Sequence, residues 1–389
     1  ADIAPFVPEL KHFDDALYLS VSVRGDGRKW AFPSVKINSH NNLVALQLEN
    51  VSLLIPTDTL HNNKMCVNAS VDHLQETTEG IPFLWHNLMG DEEPLPEVVQ
   101  NLGHVLFNGN LEGAMDNIST RGHLQTGIGE VKANVRLYAL PDSAYACEGH
   151  MESDSLDMMT LLGEEQKLGT VSFNLDVNGT LPTQASAASV YLKGVFPTLQ
   201  YSGYEYQQIE LDGQLDKNSF DGLLALEDPN VALTMNGHLG LGSQVPTFDL
   251  TAHIDHFRPH PLKLTTGREG YEYAAILHAH FSGNNPDNLE GTLSIDSLEA
   301  NLPRDTFFMP QLAINATNTR EGQKLITVES EAIQVRIEGK YTYETLPTSL
   351  VQILGKYLPS LFAKKQTREV DNEFTFDVTL ADSKFYPYV

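Results

Sequence analysis

The sequence predicts an all-β fold with a few short helices, and three observations predict it. Apolar and polar residues alternate with period two along much of the chain, turn residues bound the alternating runs, and one block of strands is repeated. In "ALYLSVSVRG", Leu17, Leu19, Val21 and Val23 share one face while Tyr18, Ser20, Ser22 and Arg24 share the other, the pattern of a half-buried strand. The same pattern returns in "QIELDG" with Ile209 and Leu211, in "AILHAHFSG", in "AIQVRIEG" with Val335 and Ile337, and in "FTFDVTL". Gly, Asn, Asp and Pro lie between many of these runs, which predicts a mostly antiparallel sheet.

The repeat appears when "LGHVLFNGNLEG" from Leu102 is laid on "LGTVSFNLDVNG" from Leu168, where Leu, Gly, Val, Phe, Asn and the closing Gly coincide at an offset of 168 − 102 = 66. It places Val105, Phe107 and Leu111 in register with Val171, Phe173 and Val177. A short apolar stretch at helical spacing precedes each copy: Val98, Val99 and Leu102 before the first, Leu156, Met159 and Leu161 around the second, with Ser155 placed to cap it. A short helix followed by several strands is therefore the expected unit, and tandem units of this size stack.

"FDGLLALEDPNVALTMNGHLGLG" reads as two alternating runs hinged on Asp228-Pro229-Asn230, with Leu224 and Leu226 before the hinge and Val231, Leu233 and Met235 after it. Proline presets φ, and Asp and Asn supply local hydrogen bonds, so the hinge is a turn. "TLPTSLVQILGKYLPSLFAKK" departs from the pattern, placing Leu346, Leu350, Ile353, Leu354, Tyr357, Leu358, Leu361 and Phe362 at helical spacing, with a kink expected at Pro359. Such a helix packs on the sheet, covers or plugs an apolar channel, or touches a membrane surface. The organisation expected is residues 1–100 as an N-terminal β-repeat segment, 101–167 as a repeat unit, 168–345 as units continuing the same sheet, and 346–389 as the amphipathic helix and a final strand.

Composition narrows the function. Of 389 residues, 41% are hydrophobic and 20% charged, enough apolar material for a folded chain. With 51 acids against 25 bases the formal charge is −26, a field that repels phosphate backbones and excludes nucleic acid as a partner. Cys66 and Cys147 have no C-x-x-C spacing, and whether they pair is open. No run reaches the ~18 apolar residues a spanning helix needs, so the chain reads as soluble as given and as a piece of something longer.

His253, Asp255, His256 and His260 in "HIDHFRPHP", with His278 and His280 on one strand face, are the residues that could ligate zinc or copper, but their spacing matches no zinc motif and no metal is expected. Neither G-x-S-x-G nor G-x-x-x-x-G-K-[ST] occurs, and no catalytic residue or cofactor is expected. The apolar rows remain. Exposed apolar surface forgoes about 2.5 kcal/mol per ~100 Å², and too few helices are visible to cover so many strands. Either the sheet folds over on itself or it leaves a groove for apolar chains.

The order and spacing of "DIAPFVPELKHFDDALYLSVSVRGDG", the two "LG-x-V-x-F-N" units and "YSGYEYQQIELDGQLDKNSFDGLLALEDPNVALTMNGHLGLGSQVPTFDLTAHID" resemble the TamB members of the AsmA-like superfamily of Gram-negative envelopes, over much of residues 1–257. The resemblance implies an elongated, curved sheet, a β-taco or half-pipe with an apolar groove. It also implies tethering to the inner membrane, passage through the periplasm, an outer-membrane barrel partner in some lineages, and carriage of phospholipid. The sequence departs from the family in having no membrane anchor at its start and no recognisable barrel-contacting end at Val389, so membrane contact would run only through parts outside it. The helix near Leu350 is also foreign to a plain half-pipe. The expectation is a non-enzymatic periplasmic segment binding or conducting acyl chains of phospholipid or another lipid. The rows already named, from Leu17 to Ile337, would line the groove, and Leu350, Ile353, Leu354, Tyr357 and Leu361 would cap it. The alternatives are a structural or adhesive cell-surface β-repeat with a self-filled core, and a glycan hydrolase using Asp or Glu pairs in a β-cleft.

Overall fold

The computed structural model describes residues 17–26, 29–54, 66–89, 95, 97–114, 116–140, 145–163, 167–180, 189–216, 218–241, 245–318, 322–357 and 372–381. The fold is all-β, almost wholly antiparallel, and the chain forms two compact units, Ala1–Leu211 and Asp212–Val389. The segments 1–100 and 101–167 fall in the first unit, and 346–389 falls in the second.

In the first unit β1 (Leu17–Val21) and β2 (Arg24–Gly25) both pair with β3 (Lys29–Ser39). Successive antiparallel neighbours follow: β4 (Val44–Leu54), β5 (Cys66–Glu76), β6 (Val105–Ala114), β7 (Asn117–Thr126), β8 (Gly129–Ala139), β9 (Tyr145–Asp157), β10 (Leu168–Thr180) and β11 (Ser189–Tyr201). Helices α1 (Gly80–Met89) and α2 (Glu97–Gln100) lie between β5 and β6, and α3 (Met158–Leu162) lies between β9 and β10. Each copy of the repeated block is thus a strand entered from a short helix, as its sequence implies. The helix cap is corrected: Ser155 lies inside β9, and Asp157 caps α3, its carboxylate accepting from the Thr160 N–H at 3.0 Å and the Thr160 hydroxyl at 2.7 Å. The strand holds extended backbone two residues longer than the apolar pattern suggests. Asn101 Nδ2 donates to Leu161 O at 3.2 Å, tying the two helix-bearing connections together.

β12 (Tyr204–Asp216) contains the unit boundary. The turn before it has Ser202 and Gly203 at φ 50° and 81°, the two left-handed residues of a tight hairpin. The second unit runs β13 (Ser219–Asp228), β14 (Val231–Gly240), β15 (Thr247–Phe257), β16 (Glu272–Ser282), β17 (Glu290–Leu302), β18 (Asp305–Asn318), β19 (Lys324–Ser330), β20 (Ile333–Lys340), then α4 (Leu346–Tyr357) and β21 (Glu373–Leu380), each strand paired antiparallel with the next. The Asp228 hinge is the turn its residues predict: Asp228 Oδ1 accepts from the Asn230 N–H at 2.8 Å.

Bulges set the phase of the strands. In β4 the apolar positions are Val44, Leu46 and Leu48, then Val51 and Leu53, a phase break that plain alternation would turn to the wrong face. The register against β5 slips there, with Asn50 at φ 52° near the slip, so both sets remain on one face. Asp72 in β5 and Asp255 in β15 lie at comparable slips, which keep Val71 with Leu74 and Ile254 with Phe257 on common faces.

Close approach fixes some glycines. A Cβ at Gly109 would sit 2.4 Å from Arg121 O and 2.9 Å from Phe107 Cζ, whereas one at Gly267 would meet nothing within 4 Å. Gly109→Val is expected to cost about 2 kcal/mol or more in urea unfolding, and Gly267→Ala to fall within roughly 0.5 kcal/mol of wild type. Equal midpoints for the two would contradict the packing described.

Candidate functional site: an apolar face in register

Directly opposed residues in antiparallel strands point to the same face, so the pairing shows which apolar side chains share a surface. In the first unit one row runs Leu74, Phe107, Leu124, Val131 across β5 to β8. A second runs Ala69, Leu111, Thr120, Val135, Gly149, Val177, Leu192 across β5 to β11. Val105 and Val171 lie at the end of this face nearest the helix-bearing connections and are buried, at 8% and 6% exposure, whereas Phe107, Leu111, Phe173 and Val177 are only half-buried. Full burial of a Val side chain is worth roughly 1.5–3 kcal/mol, so these two anchor the face. Gly109 and Gly122 oppose one another, and the Phe107 ring lies across the space their missing side chains leave: a Cβ at Gly122 would meet it at 2.5 Å. Ile209 and Leu211 on β12 alternate with Gln208 and Glu210 and are also half-buried.

In the second unit Leu224, Met235, Ala252, Leu277, Ile295 and Leu312 form one row across β13 to β18. Leu226 opposes Leu233, and Ile254 follows it. Val231 and Leu226 are buried, while Leu224, Leu233 and Met235 are half-buried. Val335 and Ile337 continue the face on β20, opposite Val328 and Ile326 on β19 and Val378 and Phe376 on β21. Within each unit, the residues proposed from alternation, in β6 and β10 of the first and in β13, β14 and β20 of the second, therefore share a face with apolar residues of the neighbouring strands.

Two features differ from the sequence reading. Val23 lies outside β1, between it and β2, so it does not continue the row of Leu17, Leu19 and Val21. Leu19 and Val21 oppose Ile37 and Val35 but are 61% and 46% exposed, because among the described strands β1 has a neighbour on one side only.

The helix meets the face directly. Leu346 packs with Ile337 and Tyr341 in a buried cluster bordered by Leu350, Val335, Phe374 and Phe376. Ile353 is half-buried, and Leu361 lies outside the described residues, as does Pro359. Asn372 fastens the start of α4, its Nδ2 donating to Ser349 Oγ at 2.8 Å and to Thr345 Oγ1 at 3.0 Å. Asp287 accepts from Lys324 Nζ at 2.7 Å and from the Tyr343 N–H at 2.8 Å. Burial opposes ionisation of Asp287, but these two donors hold its carboxyl below the usual range.

Polar chemistry sits on the opposite face. His253, His278 and His280 each stand against a carboxylate, Asp255 at 3.3 Å, Asp296 at 3.5 Å and Asp249 at 3.4 Å. Among the described residues no three His, Cys, Asp or Glu side chains converge to hold a metal ion. Cys66 and Cys147 are not joined in a disulfide, and burial pushes the Cys147 thiol up. Among the described residues no helix is long and apolar enough to cross a membrane.

No protein family matches the chain, and neither a curated protein nor a solved structure does.

One carboxyl lies on the apolar face itself. Glu76 opposes Val105, and burial raises it above the ordinary carboxylate range. A carboxyl with a raised folded-state pKa favours folding most when protonated, and that advantage is lost as pH rises through the folded value. Glu76→Gln is therefore expected to raise the melting temperature at pH 7 and to leave it nearly unchanged at pH 4. A variant less stable at pH 7 than wild type would show instead that the ionised carboxylate is favourably held.

Proposed function

We propose that the chain is a non-enzymatic lipid-binding segment whose apolar face holds acyl chains, and that it belongs to a TamB-like protein of a Gram-negative envelope. One observation carries this reading: apolar residues from successive strands fall on one face in register, and many of them stay half-buried. A self-filled sandwich core would bury such positions fully. A surface of this kind suits hydrocarbon, because each buried CH2 gains ~0.8 kcal/mol wherever along the rows it sits. Movement along it is then a slide over a nearly flat energy profile, and direction comes from partners at the ends. In this reading the partners are phospholipid or another acyl lipid and an outer-membrane barrel, and the setting is the periplasm.

A second reading, a structural β-repeat packed by its own side chains, draws on the α4 end, where Leu346 and Tyr341 fill the face above Ile337. It also draws on Phe107, which fills the space over Gly109 and Gly122. The two readings differ in whether hydrocarbon is taken up. Protein purified without detergent is expected to yield phospholipid on solvent extraction and mass spectrometry. Leu192→Asp, which sets a charge among half-buried rows, is expected to reduce the lipid recovered per protein about fivefold or more, since a buried unpaired carboxylate repels hydrocarbon strongly. A chain that carries no lipid as purified and takes up none from vesicles favours the structural repeat.

A further inference from the structure

The polar face of the first unit carries an arrangement that the apolar rows do not use. Register sets Asn110, Arg121, Asn134 and His150 side by side on β6 to β9, with Asn108, His123, Lys132 and Glu152 in the next row. Backbone of Gly109, Gly122 and Ala133 floors a concavity of about 470 Å³ between the rows. Most charges around it are satisfied by neighbours: Lys132 by Glu152 at 3.0 Å, His123 by Glu130 at 2.9 Å, and His150 by Asp176 at 2.8 Å. Arg121, Asn108 and Asn134 all line the concavity, and among the described residues none of the three side chains has a hydrogen-bond or ion-pair partner. In a chain with 25 bases against 51 acids, the Arg121 guanidinium sets a positive charge on an otherwise acidic surface.

We infer that this concavity binds an acidic oligosaccharide, with a ring carboxylate on Arg121 and hydroxyls on Asn108 and Asn134. The guanidinium is always charged and presents a fork of donors that matches a carboxylate. Amides both donate and accept, as sugar hydroxyls require. An adjoining concavity of about 560 Å³ shares Asn134 and His150 and extends along the strands to Tyr191 and Lys193. The two depressions are open and adjoin along the strands, which suits a chain of sugars laid over the surface rather than a single enclosed ring. The net charge of −26 favours a ligand whose negative charges are sparse over a polyphosphate or nucleic acid. The site faces away from the apolar rows, so it neither needs nor excludes an acyl ligand there.

Calorimetric titration of the full chain with trigalacturonate as probe, against its carboxyl-reduced trisaccharide, tests the inference. Trigalacturonate is expected to bind at least about tenfold more tightly than the reduced sugar. Arg121→Gln is expected to remove at least about tenfold of that affinity, the cost of one charge-assisted contact, with an unchanged circular dichroism spectrum. Asn134→Asp, which places a like charge beside the carboxylate, should weaken binding comparably. The inference is overturned by no binding of trigalacturonate, by equal binding of the reduced sugar, or by an unaltered affinity in a folded Arg121→Gln protein. Displacement of the sugar by an equal concentration of inorganic phosphate overturns it too, by marking a bare anion site.

Discussion

One residue of slip in any ladder would turn that strand's apolar side chains from their shared face to the polar one, because side chains alternate strictly along a strand. The separation of the two faces therefore depends on antiparallel register, renewed at every hairpin. Short turns hold it, as at Ser202–Gly203 and at Pro229–Asn230, where the Asp228 carboxylate fixes the Asn230 N–H. Bulges repair it where the sequence itself loses phase, as at Asn50, Asp72 and Asp255. In the second unit Lys324, Asp287 and Asn372 then fasten the segment that brings α4 onto the apolar face, so a few polar contacts decide how much of that face is covered.

This separation lets one sheet carry two chemistries. On one face Leu111, Val177 and Leu192 align with glycine and alanine positions where neighbouring rings can lie, as Phe107 does over Gly122. On the other, imidazoles and carboxylates pair across strands, and Arg121 is left open between two asparagines. What each offers is a surface whose character repeats from strand to strand, which suits extended ligands better than compact ones.

The alternation and the turn at Asp228 are legible in the sequence because each is a local signal of one or two residues' reach, and the repeated strand because its two copies share residue types position by position. Val105, Phe107 and Leu111 lie on one face as their spacing predicts, and so do Val171, Phe173 and Val177. What was not legible depends on partners distant in sequence. A bulge is defined by the opposing strand, so the phase breaks at Leu48 and Val71 read only as lapses in pattern. Val23 alternates correctly with Val21 yet leaves the strand, and Ser155 gives way to Asp157 as a cap because β9 stays extended through it. The Arg121 cluster draws on four strands and carries no spacing signal.

If acyl chains lie on the apolar face alone, an environment-sensitive fluorophore attached at Val177→Cys or at Asn178→Cys, in a Cys66→Ser/Cys147→Ser background, will distinguish the two faces on addition of phospholipid vesicles. These neighbours lie on one strand and point to opposite faces. The account predicts a blue shift for the probe at 177 and none at 178; equal shifts at both, or a shift at 178 alone, would contradict it.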